Sequence, residues 1–227
     1  MNDLSFEDVE FAENSDPRSA VQFVLDCSDS MTQVFPGEAR SALEALNGGL
    51  DVLVSELNKD MLARRRAEVS FLCYGTQNAE PTPFATVENI QLPDLQPMGI
   101  TNTGAALRRA IDNLNERKQT YRNSGIQYYQ SQLFLISDGL SMDDVSAVSA
   151  EIKELEASKK LSFFAIGVEG AEIEQLGSIG TRPALKLSGL KFEELFQWIS
   201  ASQAAVSASN PGDKVALPGG LDAWAEL

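Results

Sequence analysis

The sequence has no histidine among its 227 residues, and this absence excludes more chemistry than any other feature of its composition. Ser/His/Asp and Cys/His nucleophile systems, histidine-bearing zinc sites and iron-binding facial triads all need at least one imidazole. Hydrolases and metalloenzymes of those kinds are therefore excluded.

Cysteine is nearly absent as well. The two that occur, Cys27 and Cys73, cannot build a disulfide framework or a four-cysteine metal site. Both lie inside apolar segments, VLDC and SFLCYG, and this setting favours two buried, reduced thiols.

Basic residues are scarce, because 18 Lys and Arg stand against 33 Asp and Glu, for a net charge of −15. A field of that sign repels nucleic acid and anionic membranes and disfavours polyanions as ligands, whereas it attracts cations and basic partners. No apolar stretch approaches the roughly 20 residues needed to span a bilayer. The acidic start of the chain also lacks the features of a signal or transit peptide, so we expect a cytoplasmic protein.

The length suits one α/β domain with tails, and 43% hydrophobic residues suffice for a sizeable core. We expect an acidic lead over residues 1–18, the domain over 19–207 and a C-terminal tail over 208–227. The tail is expected to dock on the domain, because it is too apolar for a solvated linker. Its apolar residues are Val215, Leu217, Leu221, Trp224 and Leu227.

Near-continuous apolar runs predict strands that are buried on both faces, as in a parallel sheet. They cover residues 20–26, 69–74, 133–137 and 161–168, with a short fifth strand at 183–187. A weaker stretch at 84–90, next to several prolines, predicts an edge strand. Because helical segments separate these strands, we expect a doubly wound, mostly parallel α/β sheet with helices on both faces and one antiparallel edge strand.

Apolar residues at three- and four-residue spacing predict the helices. Four helices are predicted: one after Pro36-Gly37, one after the loop at 99–104, one over 142–157 and one that begins near residue 192. Gly48 and Gly49 interrupt the first helix and are expected to mark close packing on the sheet. A threonine is the expected N-cap of the helix that follows residues 99–104.

Polar residues gather at the ends of three predicted elements. The first strand ends in DCSDS (26–30), TNTG (101–104) precedes a helix, and a later strand ends in ISDG (136–139). Ligands of doubly wound sheets bind outside the carboxyl ends of the strands. In an extended loop Asp26, Ser28 and Ser30 point the same way, and Asp138 and a threonine hydroxyl can complete a cage of oxygens. Such ligands select Mg²⁺, Mn²⁺ or Ca²⁺.

The motifs DxSxS, TNTG and ISDG, in this order, resemble the metal-ion-dependent adhesion site of von Willebrand factor A domains. The resemblance runs from about residue 11 to the C-terminus and is closest to the bacterial tellurium-resistance TerY-like family. It rests on FAENSDPRSAVQFVLD, ERKQTYRNSGIQYYQ, FFAIGVEGAE, and KFEELFQWISAS with the tail PGDKVALPGGLDAWAEL. Cys27, Asp29 and Gly99-Ile100 differ from the residues common in the family, but none of them replaces a ligand.

The resemblance implies the von Willebrand factor A fold and a non-catalytic protein-binding module. It implies that Ser28, Ser30 and Thr101 ligate a divalent cation directly, with Mg²⁺ favoured over Mn²⁺ and Ca²⁺. Asp26 and Asp138 would act mostly through water, and an acidic side chain of a protein partner would fill the sixth position. For the TerY-like family it further implies work with a Ser/Thr kinase-like protein and a metal-dependent phosphatase in stress or tellurite resistance.

Other interpretations of these residues stay open. Ser28 and Ser30 can cap the following helix, Thr101 or Thr103 can be only an N-cap, and Asp138 can only shape a turn. A haloacid-dehalogenase-type phosphatase also has an Asp at the end of its first strand, but it needs a carboxylate two residues on, where this chain has Ser28. A metal-chelatase subunit shares the fold, yet this chain has no glycine-rich phosphate loop.

Two further features lie near these motifs or along the predicted sheet edge. In an extended loop Asp29 points away from Asp26 and the two serines, so we expect it to act on the cation through space, from about 7 Å.

A group of aromatic and basic residues forms either an interaction surface or packing over the sheet edge. It consists of Tyr121, Tyr128 and Tyr129 with Arg122.

Overall fold

The structure, a computed structural model, describes residues 11–139, 141–216 and 218–226. These residues form one sheet of seven strands. The strands are β1 (Ser19–Asp26), β2 (Ala67–Tyr74), β3 (Ala85–Thr86), β4 (Ser131–Ser137), β5 (Leu161–Gly167), β6 (Leu185–Leu187) and β7 (Ala225–Glu226).

Helices lie on both faces of the sheet. They are α1 (Ala42–Leu57), α2 (Met61–Arg66), α3 (Thr103–Asn123), α4 (Ser146–Ala157), α5 (Ile173–Ile179) and α6 (Phe192–Ser207). In the part of the chain that the structure describes, none is long and apolar enough to cross a membrane.

The strand order is β3-β2-β1-β4-β5-β6-β7. The five inner strands run parallel, whereas β3 and β7 are antiparallel to their neighbours. The chain builds the sheet outward from β1 in one direction and then continues with β4 on the other side, so the strand order reverses between β1 and β4. The predicted doubly wound, mostly parallel sheet is confirmed. β3 is the expected antiparallel edge strand, and β7 adds a two-residue edge strand that the sequence pattern does not indicate.

The two faces of β1 are buried in different hydrophobic layers, because successive residues of a strand point to opposite sides. Phe23 lies on the side of α1 and α6, where its ring stacks on Phe71 and Phe134 at centroid distances of 5.5 and 5.2 Å. Val24 lies on the side of α3 and α4. Both residues are 0% exposed, which explains why the strand has a nearly continuous apolar sequence instead of an alternating one.

Four helical segments differ from the prediction. The helix predicted over 142–157 begins only at Ser146. The helix that follows the loop at 99–104 extends to Asn123, further than its apolar pattern predicts, since Lys118 and Tyr121 extend its buried face. The short helices α2 and α5 are not predicted, because neither is long enough to show a clear periodicity, and α2 also exposes Met61 and Leu62.

Gly49 marks close packing, but against a helix and not against the sheet as predicted. A Cβ atom on Gly49 would lie 2.8 Å from the ring of Phe196 in α6. The neighbouring Gly48 would meet only the Arg40 Nη1 atom, at 3.4 Å. Gly49 therefore allows α1 to approach α6 closely, whereas Gly48 has no such role.

The described part of the C-terminal tail contacts the sheet edge. β7 pairs with β6, and Trp224 is 1% exposed with its ring centroid 5.5 Å from that of Trp198 in α6. Trp198 Nε1 also donates to the Pro218 carbonyl at 3.1 Å. The expected docking residues Leu217 and Leu227 lie outside the described residues.

Replacing Lys159 with glycine is expected to stabilise the protein by about 0.5 to 1 kcal/mol. Lys159 follows α4 with φ of 56°, the left-handed conformation that glycine adopts without strain at helix ends. For a chain of this size the melting temperature should rise by about 2 °C. As a control, Lys153→Gly in the interior of α4 should lower it. A lower melting temperature for Lys159→Gly would contradict the argument.

Candidate metal site at the carboxyl ends of the strands

The three polar motifs meet at one edge of the sheet, where the strand order reverses. Asp26 is the last residue of β1, and Asp138 directly follows β4. Thr101 precedes α3, and its Oγ1 atom lies 3.5 Å from where a Cβ on Gly139 would stand. The structure therefore brings the five predicted ligands, Asp26, Ser28, Ser30, Thr101 and Asp138, to the edge where doubly wound sheets bind ligands.

Ser28, Ser30 and Asp138 form a chain of hydrogen-bonded oxygens. The Oγ atoms of the two serines are 3.0 Å apart, and Ser30 Oγ donates to Asp138 Oδ1 at 2.9 Å. Since a serine hydroxyl has one proton, Ser30 accepts from Ser28 in this arrangement. Ser28 is 2% exposed and Asp138 is 8% exposed, so these oxygens face one another at the margin of the protein interior.

Asp26 lies beside this chain and is fully buried. Its Oδ1 atom accepts from the Ser28 amide at 2.8 Å. Its Oδ2 atom accepts from Ser137 Oγ at 2.5 Å and from the Tyr74 hydroxyl at 3.3 Å. Because these donors come from β2, β4 and the loop after β1, the carboxylate is fixed in orientation.

Both carboxyl groups of the site have a raised pKa, and the charge of Asp26 contributes to that of Asp138. Burial raises the pKa of Asp26, and the hydrogen bonds from Ser137, Ser28 and Tyr74 only partly oppose this effect. Burial, followed by the negative charge of Asp26, raises the pKa of Asp138 to about 6. A divalent cation is the group that best relieves such an accumulation of negative charge.

Main-chain bonds hold the loop that carries Thr101 against the loop after β1. The Met98 amide donates to the Cys27 carbonyl at 2.7 Å, and the Asp29 amide donates to the Gly99 carbonyl at 2.8 Å. The Gly99 amide in turn donates to Asp29 Oδ1 at 3.2 Å. Gly99 has φ of +84°, which a side chain would strain. The Asp29 carboxylate therefore has a structural contact that the sequence did not indicate.

The prediction of an extended loop after β1 is wrong beyond its first residues. Ser28 is extended, with φ of −63° and ψ of 161°, but Asp29–Thr32 form a 3-10 turn. Ser28 occupies the N-cap position of this turn without a side-chain capping bond, and its hydroxyl contacts Ser30 instead. The geometry therefore does not support the interpretation of Ser28 as a helix cap.

The prediction of a threonine N-cap for α3 is also wrong. Asn102 occupies the N-cap position, and its side chain makes no capping bond. Thr103 Oγ1 lies 3.3 Å from the Tyr74 hydroxyl, next to Asp26. Thr101 is 7% exposed, and its hydroxyl lies beside Gly139 at the site.

Asp143 caps α3 from the loop after β4. Its oxygens accept from the amides of Gly104 and Ala105, at 2.9 and 2.8 Å, and from Ser141 Oγ at 2.5 Å. Burial alone would raise the pKa of Asp143, but these hydrogen bonds outweigh it and lower the pKa. Sequence reasoning missed this residue because its partners are 39 and 38 positions away.

Two apolar side chains are exposed next to Thr101. Ile100 is 52% exposed, and Met142 is 69% exposed with its amide bonded to the Thr101 carbonyl at 2.8 Å. Aliphatic and methionine side chains held in water beside a polar cluster are typical of protein-binding surfaces. In the sequence, Ile100 stands out only because it differs from the residue common at this position in the family.

The candidate site relies on hydroxyl oxygens as much as on carboxylates. Among the described residues, no group of three or more His, Cys, Asp and Glu side chains is arranged to hold a metal. Cys27 lies between two predicted ligands, but it is buried as a free thiol, and so is Cys73. This agrees with the expectation of two buried, reduced thiols.

Solved structures with the same fold include a pilus adhesin, a minor pilin and a matrix protein. The pilus adhesin SpaC from Lactobacillus rhamnosus GG has a TM-score of 0.65 and 14% identity, over 84% of this chain and 31% of that one. The PilB minor pilin from Streptococcus sanguinis has a TM-score of 0.58 and 15% identity, over 83% of this chain and 62% of that one. The proximal thread matrix protein 1 of the mussel byssus, with a zinc-occupied MIDAS motif, has a TM-score of 0.53 and 15% identity, over 82% of this chain and 47% of that one.

These likenesses establish a shared fold, and the chain spans less than two thirds of the length of each of the three structures. No curated protein sequence matches the chain significantly. The family model described as von Willebrand factor type A domain matches residues 20–197, which include every strand from β2 to β6, nearly all of β1 and all five predicted ligands. The chain therefore belongs to the von Willebrand factor type A domain family.

Proposed function

We propose that this domain is a non-catalytic module that binds a protein partner through a divalent cation at the carboxyl ends of β1 and β4. The observation that carries the proposal is the continuous chain of oxygens from Ser28 through Ser30 to Asp138, with the buried Asp26 carboxylate beside it. The metal-occupied motif of the byssus protein, which shares the fold, supports the same interpretation.

The donor set fits a small, hard cation. An octahedral ion with metal–oxygen distances of about 2.1 Å, such as Mg²⁺, keeps adjacent ligand oxygens about 3.0 Å apart, whereas the larger Ca²⁺ usually takes more oxygens in a looser arrangement. The Oγ atoms of Ser28 and Ser30, two of the proposed direct ligands, are 3.0 Å apart and suit the smaller ion with little rearrangement. We therefore assign Mg²⁺, with Ser28, Ser30 and Thr101 as direct ligands.

In this proposal Asp26 and Asp138 act mostly through water and supply the negative charge. Mn²⁺ is a useful probe because it prefers the same oxygen ligands, and Zn²⁺ occupies the motif of the byssus protein.

The surroundings of the site favour binding over turnover. Tyr74 is the aromatic hydroxyl next to Asp26, but burial raises its pKa well above the ordinary value, so it cannot serve as a base near neutral pH. The general acid of a haloacid-dehalogenase-type phosphatase would stand at position 28, which is a serine. We therefore propose that the cation holds a partner and does not activate a nucleophile.

The sixth position of the cation is proposed to take an acidic side chain of the partner. Ile100 and Met142 supply apolar contacts beside it, so the partner surface should combine a carboxylate with an apolar patch. From the TerY-like resemblance we propose a kinase-like protein and a metal-dependent phosphatase as partners, in bacterial stress or tellurite resistance in the cytoplasm.

Two threonines of the TNTG motif provide a matched test. Thr101→Val keeps the shape of the side chain and removes a proposed ligand, so calorimetry should show Mn²⁺ and Mg²⁺ binding weakened about tenfold or more. Thr103→Val removes a hydroxyl 3.3 Å from Tyr74 that is not a proposed ligand, and binding should stay within about threefold of wild type.

Equal behaviour of the two variants, or undetectable cation binding by the wild-type protein, would refute the proposed site. The same pair tests the module itself: the partner should be retained with Mg²⁺, released by chelator and lost with Thr101→Val alone. Retention of the partner in chelator would refute cation-dependent binding.

A further inference from the structure

A second concave surface lies at the opposite edge of the sheet, near the amino ends of β4 and β5. It is a cavity of about 940 Å³, a volume typical of small-molecule sites. Its walls come from the C-terminal half of α3, the loops before β4, β5 and β6, one face of α6 and the start of the tail. No residue of the candidate metal site takes part in it.

The cavity is strongly basic, although the chain as a whole is acidic. Six of the 18 Lys and Arg residues line it, against two acidic residues, in a chain with a net charge of −15. The six are Lys118, Arg122, Lys159, Lys160, Arg182 and Lys214. Such a local reversal of sign focuses anions into the cavity and sets it apart from the rest of the surface.

The two acidic residues of the cavity, Glu156 and Asp213, already have hydrogen-bond or ion-pair partners within the protein. Glu156 accepts from the Thr181 amide and hydroxyl, at 2.7 and 2.8 Å, and pairs with Arg182. Asp213 accepts from the amide and side chain of Asn210, at 2.9 and 3.2 Å. Of the six cations, only Arg182 forms an ion pair within the described part of the chain.

Lys118 is the residue that a purely structural explanation does not account for. It is 7% exposed, and within the described part of the chain its ammonium group has no hydrogen bond or ion pair. Burial, followed by the charges of Arg122 and Lys160, lowers the pKa of Lys118. The stem of Lys118 is therefore buried while its ammonium group lines the cavity beside other cations, an arrangement that a bound anion would stabilise.

Two further observations are consistent with a binding role. Lys159 holds a strained, left-handed backbone conformation at the mouth of the cavity, where glycine would be more stable. Arg122 lies over the ring of Tyr128 and donates to its hydroxyl at 3.0 Å, and that hydroxyl keeps a proton to donate into the cavity. This tyrosine and arginine belong to the group that the sequence left open between packing and interaction.

We infer that this cavity is a binding site for a small, multiply charged phosphate compound, held by Lys118, Lys159 and Lys160 with Arg122 at the rim. Several ammonium and guanidinium groups around one cavity exceed what a single carboxylate requires, whereas they match the charge of linked phosphates. The inference is independent of the proposed cation site.

The test is calorimetric titration with inorganic tripolyphosphate and with ATP, at low ionic strength and in chelator so that no cation is bound. Wild type should bind, and Lys118→Met, which keeps the buried stem, should lose affinity about tenfold or more. Lys153→Met, on the exposed surface of α4 outside the cavity, should stay within twofold. Tighter binding of ATP than of tripolyphosphate would indicate a nucleotide, and equal binding would indicate recognition of the phosphates alone.

Lys159→Gly keeps the test decisive, because this variant is expected to be more stable than wild type and yet to bind tripolyphosphate several-fold more weakly. The inference fails if neither compound binds at millimolar concentration, if Lys118→Met binds as wild type does, or if Lys153→Met loses affinity as Lys118→Met does.

Discussion

Asp138→Asn is expected to weaken Mg²⁺ and Mn²⁺ binding about a hundredfold and to stabilise the cation-free protein. The variant loses one of the two charges at the site, which is the main source of its affinity for a divalent ion. It keeps an oxygen that can accept from Ser30 and removes the repulsion between Asp138 and Asp26. Without cation, we therefore expect a gain of about 1 to 2 kcal/mol in the free energy of unfolding.

Opposite signs of the two effects distinguish a binding residue from a structural one. Calorimetry gives the affinity, and denaturant unfolding in chelator gives the stability. Asp143→Asn, in the same loop, is the matched control, because it weakens the cap of α3 and should lose about 1 kcal/mol with little change in cation affinity. Wild-type affinity in Asp138→Asn would remove Asp138 from the site.

Glu68→Ala is expected to lower the free energy of unfolding by about 3 to 5 kcal/mol, the largest stability effect that we predict. Glu68 is fully buried in β2, where it accepts from Arg18 at 2.9 Å, from Arg117 at 2.7 Å and from the Tyr121 hydroxyl. Its removal takes away the carboxylate that the buried guanidinium groups of Arg18 and Arg117 share. For a chain of this length, the melting temperature should fall by about 10 °C.

An exposed ion pair provides the control for Glu68. Glu88 lies 3.5 Å from Arg64, and its side chain is 67% exposed, so solvent screens the pair. Glu88→Ala should therefore change the free energy of unfolding by less than about 0.5 kcal/mol. If Glu68→Ala melted within 2 °C of Glu88→Ala, the buried carboxylate would not hold this part of the fold together.

The sheet was predictable because its inner strands are buried on both faces. Residues 20–26, 69–74, 133–137 and 161–168 are apolar almost throughout, and the structure has a strand at each. β7 was not predictable, since two residues show no periodicity and pair only because the tail reaches β6. Helix α2 was missed because most of its side chains are in water.

The candidate site was predictable as far as its residues follow the ends of strands. Asp26, Ser28, Ser30 and Asp138 stand next to buried apolar runs, so topology alone brings them together. Asp143 was not predictable, because its role depends on how two loops approach one another.

The basic cavity was also beyond prediction from the sequence. Its cations come from separate elements, and each of them looks like an ordinary surface residue in its own segment. The sequence showed only the net charge, which disfavours polyanions, and the group of Arg122 and nearby tyrosines, which it left open between packing and interaction.

The central position of β1 has a consequence during synthesis of the chain. β1 pairs with β2 across an interval of 48 residues. Its other edge stays unpaired until β4 has been made, and β4 ends at residue 137, which is 63 residues after the end of β2 at residue 74. At roughly 5 to 20 residues per second, the ribosome leaves this apolar edge unpaired for about 3 to 13 seconds. The nascent chain is therefore most exposed to aggregation, and most dependent on chaperones, in the interval between these two strands.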